Sequence, residues 1–168
     1  MARQGYTVDA VELIEHNIEV FQRNTLPHEI ISIIQGNALD LSAFPDNQYD
    51  ITLLLDPLYH LYTKEDKEQA IREAIRVTKQ GGIIFAAKSE PKDLFELVRK
   101  EDIDDLMSIF PTTRLHYIAA DGCSLLMREA IDAMDSETFQ LYLKYHFAIC
   151  EREDLLGVTS HAVDIFKK

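Results

Sequence analysis

Short runs of β-branched and other apolar residues alternate along this chain with longer amphipathic segments. Strands that pair in parallel need a crossover between them, and a helix is the usual crossover. The alternation therefore predicts a parallel sheet covered by helices on both faces. Since a chain of 168 residues suits one such unit, we expect an α/β fold in a single domain that spans residues 1–168.

The boundaries of the elements follow from changes in the apolar spacing. Residues 49–55 form the most apolar run and are placed near the centre of the sheet. Apolar side chains recur at helical spacing between residues 63 and 79, and Gln80-Gly81-Gly82 is expected to end that helix with a left-handed cap. The expected strands are 6–13, 29–35, 49–55, 83–87, 114–119 and 159–166, and the expected helices are 14–24, 63–79, 93–110, 124–134 and 136–151.

The charge balance excludes several classes of partner. The chain carries 29 Asp and Glu residues against 17 Lys and Arg residues, which gives a formal net charge of −12. No basic face is available for phosphates, so we expect neither nucleic acid nor an anionic membrane as a partner. A small electroneutral or cationic substrate is easier to accommodate.

Cysteine usage and hydropathy indicate the compartment. Cys123 and Cys150 are too few for a disulfide framework, and their spacing with the histidines matches no metal site. We expect reduced thiols, no bound metal and a cytoplasmic protein. No apolar run approaches the roughly 20 residues of a membrane-spanning helix, and the first residues contain no hydrophobic signal region. The chain is therefore expected to be neither secreted nor inserted in a membrane.

Ligands of a parallel α/β sheet bind at the carboxyl ends of the strands, so the loops there hold the first candidate residues. Glu12 ends the first expected strand, where a carboxylate can accept hydrogen bonds from both hydroxyls of a ribose. A solvated acid beside a helix start is an equally good interpretation. Gly36-Asn37-Ala38 follows the second strand, where an amide and a backbone N–H can read an adenine edge. A tight turn explains the same three residues and is favoured.

The loop after the central strand concentrates functional groups. Asp56-Pro57-Leu58-Tyr59-His60 holds an acid, a rigid turn, an aromatic ring and an imidazole within five positions. His60 could act as a general base or orient a substrate near neutral pH, although a packed or solvated histidine is the commoner case. Tyr59 could line a pocket or simply fill hydrophobic space.

Two further histidines lie towards the carboxyl terminus. Tyr142, Tyr145, His146 and Cys150 recur every three or four positions. We interpret this stripe as a buried amphipathic face and keep His146 as a weaker candidate for substrate contact. His161 lies in the closing strand, where the sequence suggests no partner, and is interpreted as structural.

Three segments carry a resemblance to a known family. They are residues 6–13, the piece Phe-Pro-Asp-Asn-Gln-Tyr-Asp-Ile at 44–51, and the piece Ile-Arg-Val-Thr-Lys-Gln-Gly-Gly at 75–82. Together with Asn37 and Ala38 they make the whole chain resemble a class I S-adenosylmethionine-dependent methyltransferase. The resemblance implies a Rossmann-like fold with an antiparallel last strand, S-adenosyl-L-methionine as cofactor, and methyl transfer to a small-molecule acceptor.

The same resemblance implies roles for individual residues. Glu12 would bind the ribose of the cofactor, and Asn37 and Ala38 would lie against its adenine; family members often have Asp in place of Asn37. The expected cofactor-binding residues are Glu12, Leu13, Asn37, Ala38 and Asp56, the catalytic candidates are His60 and Asp56, and the substrate candidates are Tyr59 and His146.

The chain departs from the family at its amino terminus. The family's glycine-rich loop should precede Glu12, but only eleven residues do so and no Gly-x-Gly pattern occurs. We expect either the carboxyl-terminal part of a longer protein or a decayed relative. The missing strand would lie between the strands at 6–13 and 49–55, so we expect these two to pair directly, with formation of a homodimer as a further outcome. This closure predicts weak cofactor binding or none.

Two functions from different classes follow. The first is a methyltransferase acting on a small molecule, and the second is a non-catalytic remnant that binds a partner through an exposed sheet edge. A rival within the enzyme class rests on Asp56-Pro57-Leu58-Tyr59, which is similar to the Asp-Pro-Pro-Tyr motif of methyltransferases acting on planar amino groups. Leu58 departs from that motif, and the acidic chain disfavours nucleic acid as its substrate.

Overall fold

Two sheets form the framework of the protein in this computed structural model, which describes residues 1–55, 57–89 and 100–168. The chain divides into two compact units, Met1–Phe44 and Pro45–Lys168. Each unit contains strands joined by helical crossovers, so the predicted α/β class is confirmed. The single domain over 1–168 stays a prediction.

The first unit is one β-α-β crossover. Strand β1 (Val8–Glu12) pairs in parallel with β2 (Ile31–Gln35) along the whole length of both strands, and helix α1 (Glu15–Asn24) connects them. A short 3-10 helix, Ala2–Gln4, precedes β1. No residue of this unit is fully buried, because two strands and one helix cannot enclose a core.

The second unit is built on a four-stranded sheet. Its strands run in the order β3-β4-β6-β5, with β3 and β4 parallel and β6 antiparallel to both of its neighbours. The predicted antiparallel last strand is therefore confirmed. The strands are β3 (Tyr49–Leu54), β4 (Thr78–Ser89), β5 (Thr113–Ala119) and β6 (His161–Lys167), and the helices are α2 (Pro57–His60), α3 (Lys64–Val77), α4 (Lys100–Ser108), α5 (Arg128–Asp132), α6 (Ser136–Ile149) and a 3-10 helix, Glu153–Val158.

Helix α3 supplies much of the core of the second unit. Its start is fixed by Thr63, whose hydroxyl accepts a hydrogen bond from the backbone N–H of Asp66 at 3.1 Å. Ala70, Ile71 and Val77 are all at most 2% exposed. Burying a side chain the size of Ile or Val stabilises the fold by about 1.5–3 kcal/mol, so this face of the helix contributes substantially to the stability of the second unit.

The predicted stop of α3 at the glycines is wrong. The helix ends at Val77, and Thr78 is already extended, with φ −78° and ψ 138°. The glycines instead lie inside β4, where the register against β3 shifts between Tyr49 and Ile51. Gly81 has φ +80° within this irregular segment, so the left-handed conformation expected there serves a bulge and not a helix cap.

The predicted direct pairing of the strands at 6–13 and 49–55 is also wrong. β1 pairs with β2 and β3 pairs with β4, so β1 and β3 belong to different sheets. Each strand pairs with the one that its own crossover connects to it, which is the usual outcome for consecutive strands. The homodimer and the weak cofactor binding stay predictions.

The remaining differences concern boundaries. α5 covers only part of the predicted helix 124–134, and α4 covers the end of the predicted helix 93–110, of which residues 93–99 lie outside the described residues. α2 was not predicted; it begins at Pro57, a residue suited to the first helical position. None of the described helices has the length and apolar character needed to cross a membrane.

Candidate functional site

The carboxyl edge of the two-stranded sheet holds the acid and amide candidates. Glu12 ends β1, and its backbone oxygen accepts a hydrogen bond from the N–H of Gly36 at 3.0 Å. Because β1 and β2 are parallel, the segment Gly36-Asn37-Ala38 leaves the sheet at this same edge. The structure therefore brings Glu12 and Asn37 to neighbouring strand ends, as the sequence predicts.

The Glu12 carboxylate is oriented by its own backbone. Oε1 accepts a hydrogen bond from the N–H of Ile14 at 2.9 Å, and Oε2 has no partner among the described residues. Glu12 is half-buried and lines an open groove of about 550 Å³ together with Asn17 and Phe21 of α1. One carboxylate oxygen is thus fixed while the other is available to a ligand.

Asn37 and its neighbours are arranged as a turn. Oδ1 of Asn37 accepts a hydrogen bond from the N–H of Leu39 at 3.0 Å, and the backbone oxygen of Asn37 accepts one from Asp40 at 3.0 Å. The favoured turn interpretation is therefore confirmed. A carboxamide oxygen has a second lone pair, so an adenine amino group can still donate to Oδ1. Ala38 is half-buried, whereas Leu13 is 62% exposed.

The loop after β3 contains the predicted catalytic residues. Asp56 lies outside the described residues. Pro57 begins α2, Leu58 is completely buried and anchors the turn, Tyr59 is half-buried and His60 is exposed. Leu58 therefore serves the core, while the two polar side chains after it remain accessible at the carboxyl edge of the four-stranded sheet.

A histidine–carboxylate pair that the sequence analysis missed lies at the same edge. Asp121 follows β5, and its Oδ2 lies 3.0 Å from Nδ1 of His161, the first residue of β6. Oδ1 of Asp121 accepts hydrogen bonds from the backbone N–H groups of Ser160 and His161, both at 3.0 Å, and from the Thr159 hydroxyl. His161 thus has a carboxylate partner that the sequence did not suggest.

These hydrogen bonds set the charge of Asp121. Burial pushes the pKa of this carboxyl upwards, but the hydrogen bonds from His161 and Thr159 outweigh burial and hold the pKa below its usual value. Asp121 is therefore ionised at neutral pH. The signal that could have revealed it is positional: Asp121, like Glu12, is an acid at the carboxyl end of a strand.

His146 lines a small cavity next to this pair. The cavity has a volume of about 80 Å³ and is lined mainly by apolar and aromatic groups, including Cys123, Tyr142 and Cys150. Gly122, with φ +52°, also lines it, and a Cβ there would lie 3.2 Å from Nδ1 of His146. Gly122 thus allows the backbone after Asp121 to approach the imidazole closely. The residues lining the cavity do not include Tyr59 or His60.

The predicted buried face of α6 is wrong. No residue of the helix is fully buried, and Tyr145 is 58% exposed while Phe147 is 70% exposed. Only Cys150, just beyond the helix, is buried. The stripe of Phe139, Tyr142 and His146 forms stacked ring pairs along the helix surface, with centroids 6.2 and 6.3 Å apart, instead of packing into a core.

In residues 1–55, 57–89 and 100–168 no group of three His, Cys, Asp or Glu side chains is arranged to hold a metal ion.

The fold is that of a Rossmann-like α/β protein, and the polar residues that are candidates for the functional site lie at the carboxyl ends of its strands. A model of the methyltransferase domain family matches residues 1–86. The chain belongs to this family, and the predicted resemblance is confirmed. S-adenosylmethionine is the cofactor that the family and its structural neighbours indicate. The comparison with curated proteins gives no match.

Solved structures share the fold at low sequence identity. A SAM-dependent methyltransferase from Archaeoglobus fulgidus is 13% identical, with a TM-score of 0.64 over 96% of this chain and 85% of that one. A possible histamine N-methyltransferase from Thermotoga maritima is 15% identical, with a TM-score of 0.59 over 96% and 81%. The [4+2]-cyclase SpnF is 16% identical, with a TM-score of 0.65 over 99% and 69%. A cyclase among these neighbours means that the fold alone does not fix the reaction.

Proposed function

We propose that the protein is an S-adenosylmethionine-dependent methyltransferase acting on a small-molecule acceptor. The observation that carries this proposal is the position of Glu12 and Asn37 at the carboxyl ends of neighbouring parallel strands, inside the segment that the family model matches. The net charge of −12 favours a small uncharged or cationic acceptor over a polyanion.

The residues present fit the nucleoside end of the cofactor. Oε2 of Glu12 would accept hydrogen bonds from the ribose hydroxyls, and Leu13 offers an exposed apolar side chain beside it. Asn37 and Ala38 would face the adenine, with Oδ1 of Asn37 as the acceptor for its amino group. Asp56, which the resemblance implies as a further cofactor-binding residue, lies outside the described residues and stays a prediction.

Among the described residues no glycine-rich turn is seen that could hold the methionine end of the cofactor. A glycine-rich turn would present backbone N–H groups to a carboxylate, and the sequence contains no Gly-x-Gly. Gly81 and Gly82 are used in the irregular start of β4. We therefore propose that the nucleoside end provides most of the binding energy of the cofactor.

We assign the contacts with the methyl acceptor to residues of the second unit. When bound, S-adenosylmethionine supplies a methyl group on an already activated sulfonium sulfur. The protein then has to orient the acceptor and take up one proton. We propose Tyr59 and His146 as acceptor contacts and His60, with Asp56, as groups that orient the acceptor at the carboxyl edge of the four-stranded sheet.

Titration of the full chain with S-adenosylmethionine and with adenosine tests this proposal. NMR chemical shifts should report dissociation constants of about 0.1–1 mM for both ligands, within about tenfold of each other, because the shared nucleoside makes the main contacts. Shifts of the Glu12 and Asn37 signals should accompany binding. The absence of any shift at 10-fold higher ligand concentration would overturn the proposal.

A second candidate function is the binding of a protein partner by strand addition. β3 is an edge strand of its sheet and not the central strand that its apolar run predicts. Ile51 and Leu53 on β3 are 41% and 46% exposed, and Leu55 just beyond it is 44% exposed. Exposed apolar edges are templates for an added strand. This function is favoured if the full chain binds neither adenosine nor S-adenosylmethionine. It is excluded if Leu53→Lys weakens no protein complex that the parent chain forms.

A further inference from the structure

We propose that His161 and Asp121 form a catalytic pair in which His161 accepts the proton that leaves a hydroxyl acceptor during methyl transfer. The inference rests on the proposed function and adds an acceptor class to it, namely a small molecule methylated on a hydroxyl oxygen. It assigns a proton acceptor to the site and names the carboxylate that orients it.

The hydrogen bond to Asp121 fixes the tautomer of His161. An ionised carboxylate can only accept hydrogen bonds, so Nδ1 of His161, 3.0 Å from Oδ2, must carry a proton. In the neutral imidazole the lone pair is then on Nε2. Nε2 has no partner among the described residues, so the basic nitrogen remains available.

The pair lies where a substrate can reach it. The side chain of His161 is 50% exposed while that of Asp121 is 20% exposed, so the imidazole faces solvent and its carboxylate partner is set behind it. His161 opposes Ser89 at the carboxyl end of β4, the edge where ligands of such sheets bind. Asp121 directly precedes Gly122, which lines the neighbouring cavity with His146.

The proton balance of the step is simple. As the acceptor oxygen forms its bond to the methyl carbon, its O–H bond breaks and the electron pair of that bond stays on oxygen. The proton moves to the lone pair of Nε2, and His161 becomes an imidazolium whose charge Asp121 stabilises through Nδ1–H. A neutral amine reacts through its own lone pair before it loses a proton, so a built-in base is most useful for a hydroxyl.

The variant Asp121→Asn separates this role from a structural one. The amide oxygen should take the place of Oδ1, since the N–H groups of Ser160 and His161 need an acceptor there. The amide NH₂ then faces Nδ1 of His161 and donates to it. The proton of the neutral ring moves to Nε2, which can no longer act as a base, while the backbone hydrogen bonds of the loop are kept.

Two measurements on the full chain test the pair. ¹⁵N NMR of the imidazole should show the Nδ1–H tautomer of His161 in the parent protein and the Nε2–H tautomer in Asp121→Asn. With phenol, catechol and propanol as acceptor probes, kcat should fall about 10²–10⁴-fold in the variant. Affinity for S-adenosylhomocysteine should stay within about twofold, since no nucleoside contact changes.

A matched control is available on β5. His116 contacts Glu151 through Nδ1 at 3.1 Å, so Glu151→Gln alters an equivalent pair without touching the proposed base. This control should keep the parent kcat. An unchanged tautomer in Asp121→Asn, or a switched tautomer with the parent kcat, would overturn the inference. If the parent protein does not bind S-adenosylhomocysteine, the proposed function is overturned instead. If the parent protein binds it but methylates none of the probes, the assignment of a hydroxyl acceptor is overturned.

Discussion

Arg114 on β5 donates two parallel hydrogen bonds to Asp164 on β6, from Nε to Oδ1 at 2.7 Å and from Nη2 to Oδ2 at 2.5 Å. Asp164 is only 2% exposed. Burial raises its pKa, and the hydrogen bonds from Arg114 oppose that rise. Nη1 of Arg114 also lies 2.7 Å from Oδ1 of Asp104 on α4, which in turn pairs with Lys100. The network joins two strands and a helix.

Removing the charge of Asp164 should destabilise the second unit. Asp164→Asn leaves the Arg114 guanidinium facing one neutral amide oxygen in place of a carboxylate. Breaking a buried ion pair in this way costs about 3–5 kcal/mol. Chemical denaturation should show a lower free energy of unfolding by that amount. The control Asp50→Asn breaks an exposed pair with Lys79 and should cost less than about 1 kcal/mol. Equal effects of the two variants would contradict the assignment.

Acid stability should depend on Asp121. Its pKa in the folded protein lies below the usual value of 3.8, so the unfolded chain binds its proton first as the pH falls. The stabilisation is complete above about pH 5 and is lost as the pH drops through the folded pKa. Unfolding free energies of the parent and Asp121→Asn, measured from pH 7 to pH 3, should therefore converge at low pH. Parallel profiles would exclude this contribution.

The strands were predictable because a short run of apolar residues in the local sequence marks each of them. Residues 49–55 predicted β3 to within one residue, and the same spacing rule located β2. The start of β4 at Thr78 was not predictable, because Lys79, Gly81 and Gly82 have low strand propensity. This segment joins the strand through pairing with β3 and through backbone hydrogen bonds with the carboxyl-terminal Lys168.

The residues of the candidate site were predictable only where the end of a single strand locates them. Glu12 ends one strand and Asn37 follows the next, so the position of the strand locates each residue. Asp121 and His161 are 40 residues apart in the chain, and only the antiparallel pairing of β5 with β6 brings them together. The exposed surface of α6 was mispredicted because its aromatic stripe has the spacing of a core-facing helix.

Gly82 should not tolerate a side chain. A Cβ at this position would lie 2.7 Å from Cγ2 of Thr78 and 3.0 Å from the backbone oxygen of Asp50. Gly82→Ala should therefore destabilise the protein by about 1–3 kcal/mol through overpacking. Gly157→Ala is the matched control, since nothing lies within 4 Å of a Cβ there. Thermal unfolding that is equally affected by both changes would show that the close approach at β4 is unimportant.

His60 is predicted to act on the acceptor. His60→Ala should lower turnover with phenol, catechol or propanol while affinity for S-adenosylmethionine stays within about twofold, since the residue lies at the acceptor side. His116→Ala, another exposed histidine of the same unit, should leave both parameters unchanged. Steady-state kinetics with a separate binding titration make the comparison. If His60→Ala keeps the parent turnover, His60 is a structural residue.

Glu12 is predicted to hold the ribose of the cofactor. Its Oε1 is already engaged with the N–H of Ile14 at 2.9 Å, and glutamine can keep that bond. Glu12→Gln therefore removes only the charge, and charge-assisted hydrogen bonds are worth about 1.5–3 kcal/mol. The dissociation constants of adenosine and S-adenosylmethionine should both rise about tenfold or more, whereas adenine alone, which lacks the ribose, should bind as before.

Glu15→Gln on the exposed start of α1 is the matched control and should change neither constant. Unchanged adenosine affinity in Glu12→Gln would remove Glu12 from the site, and a loss of adenine binding would move it from the ribose to the base.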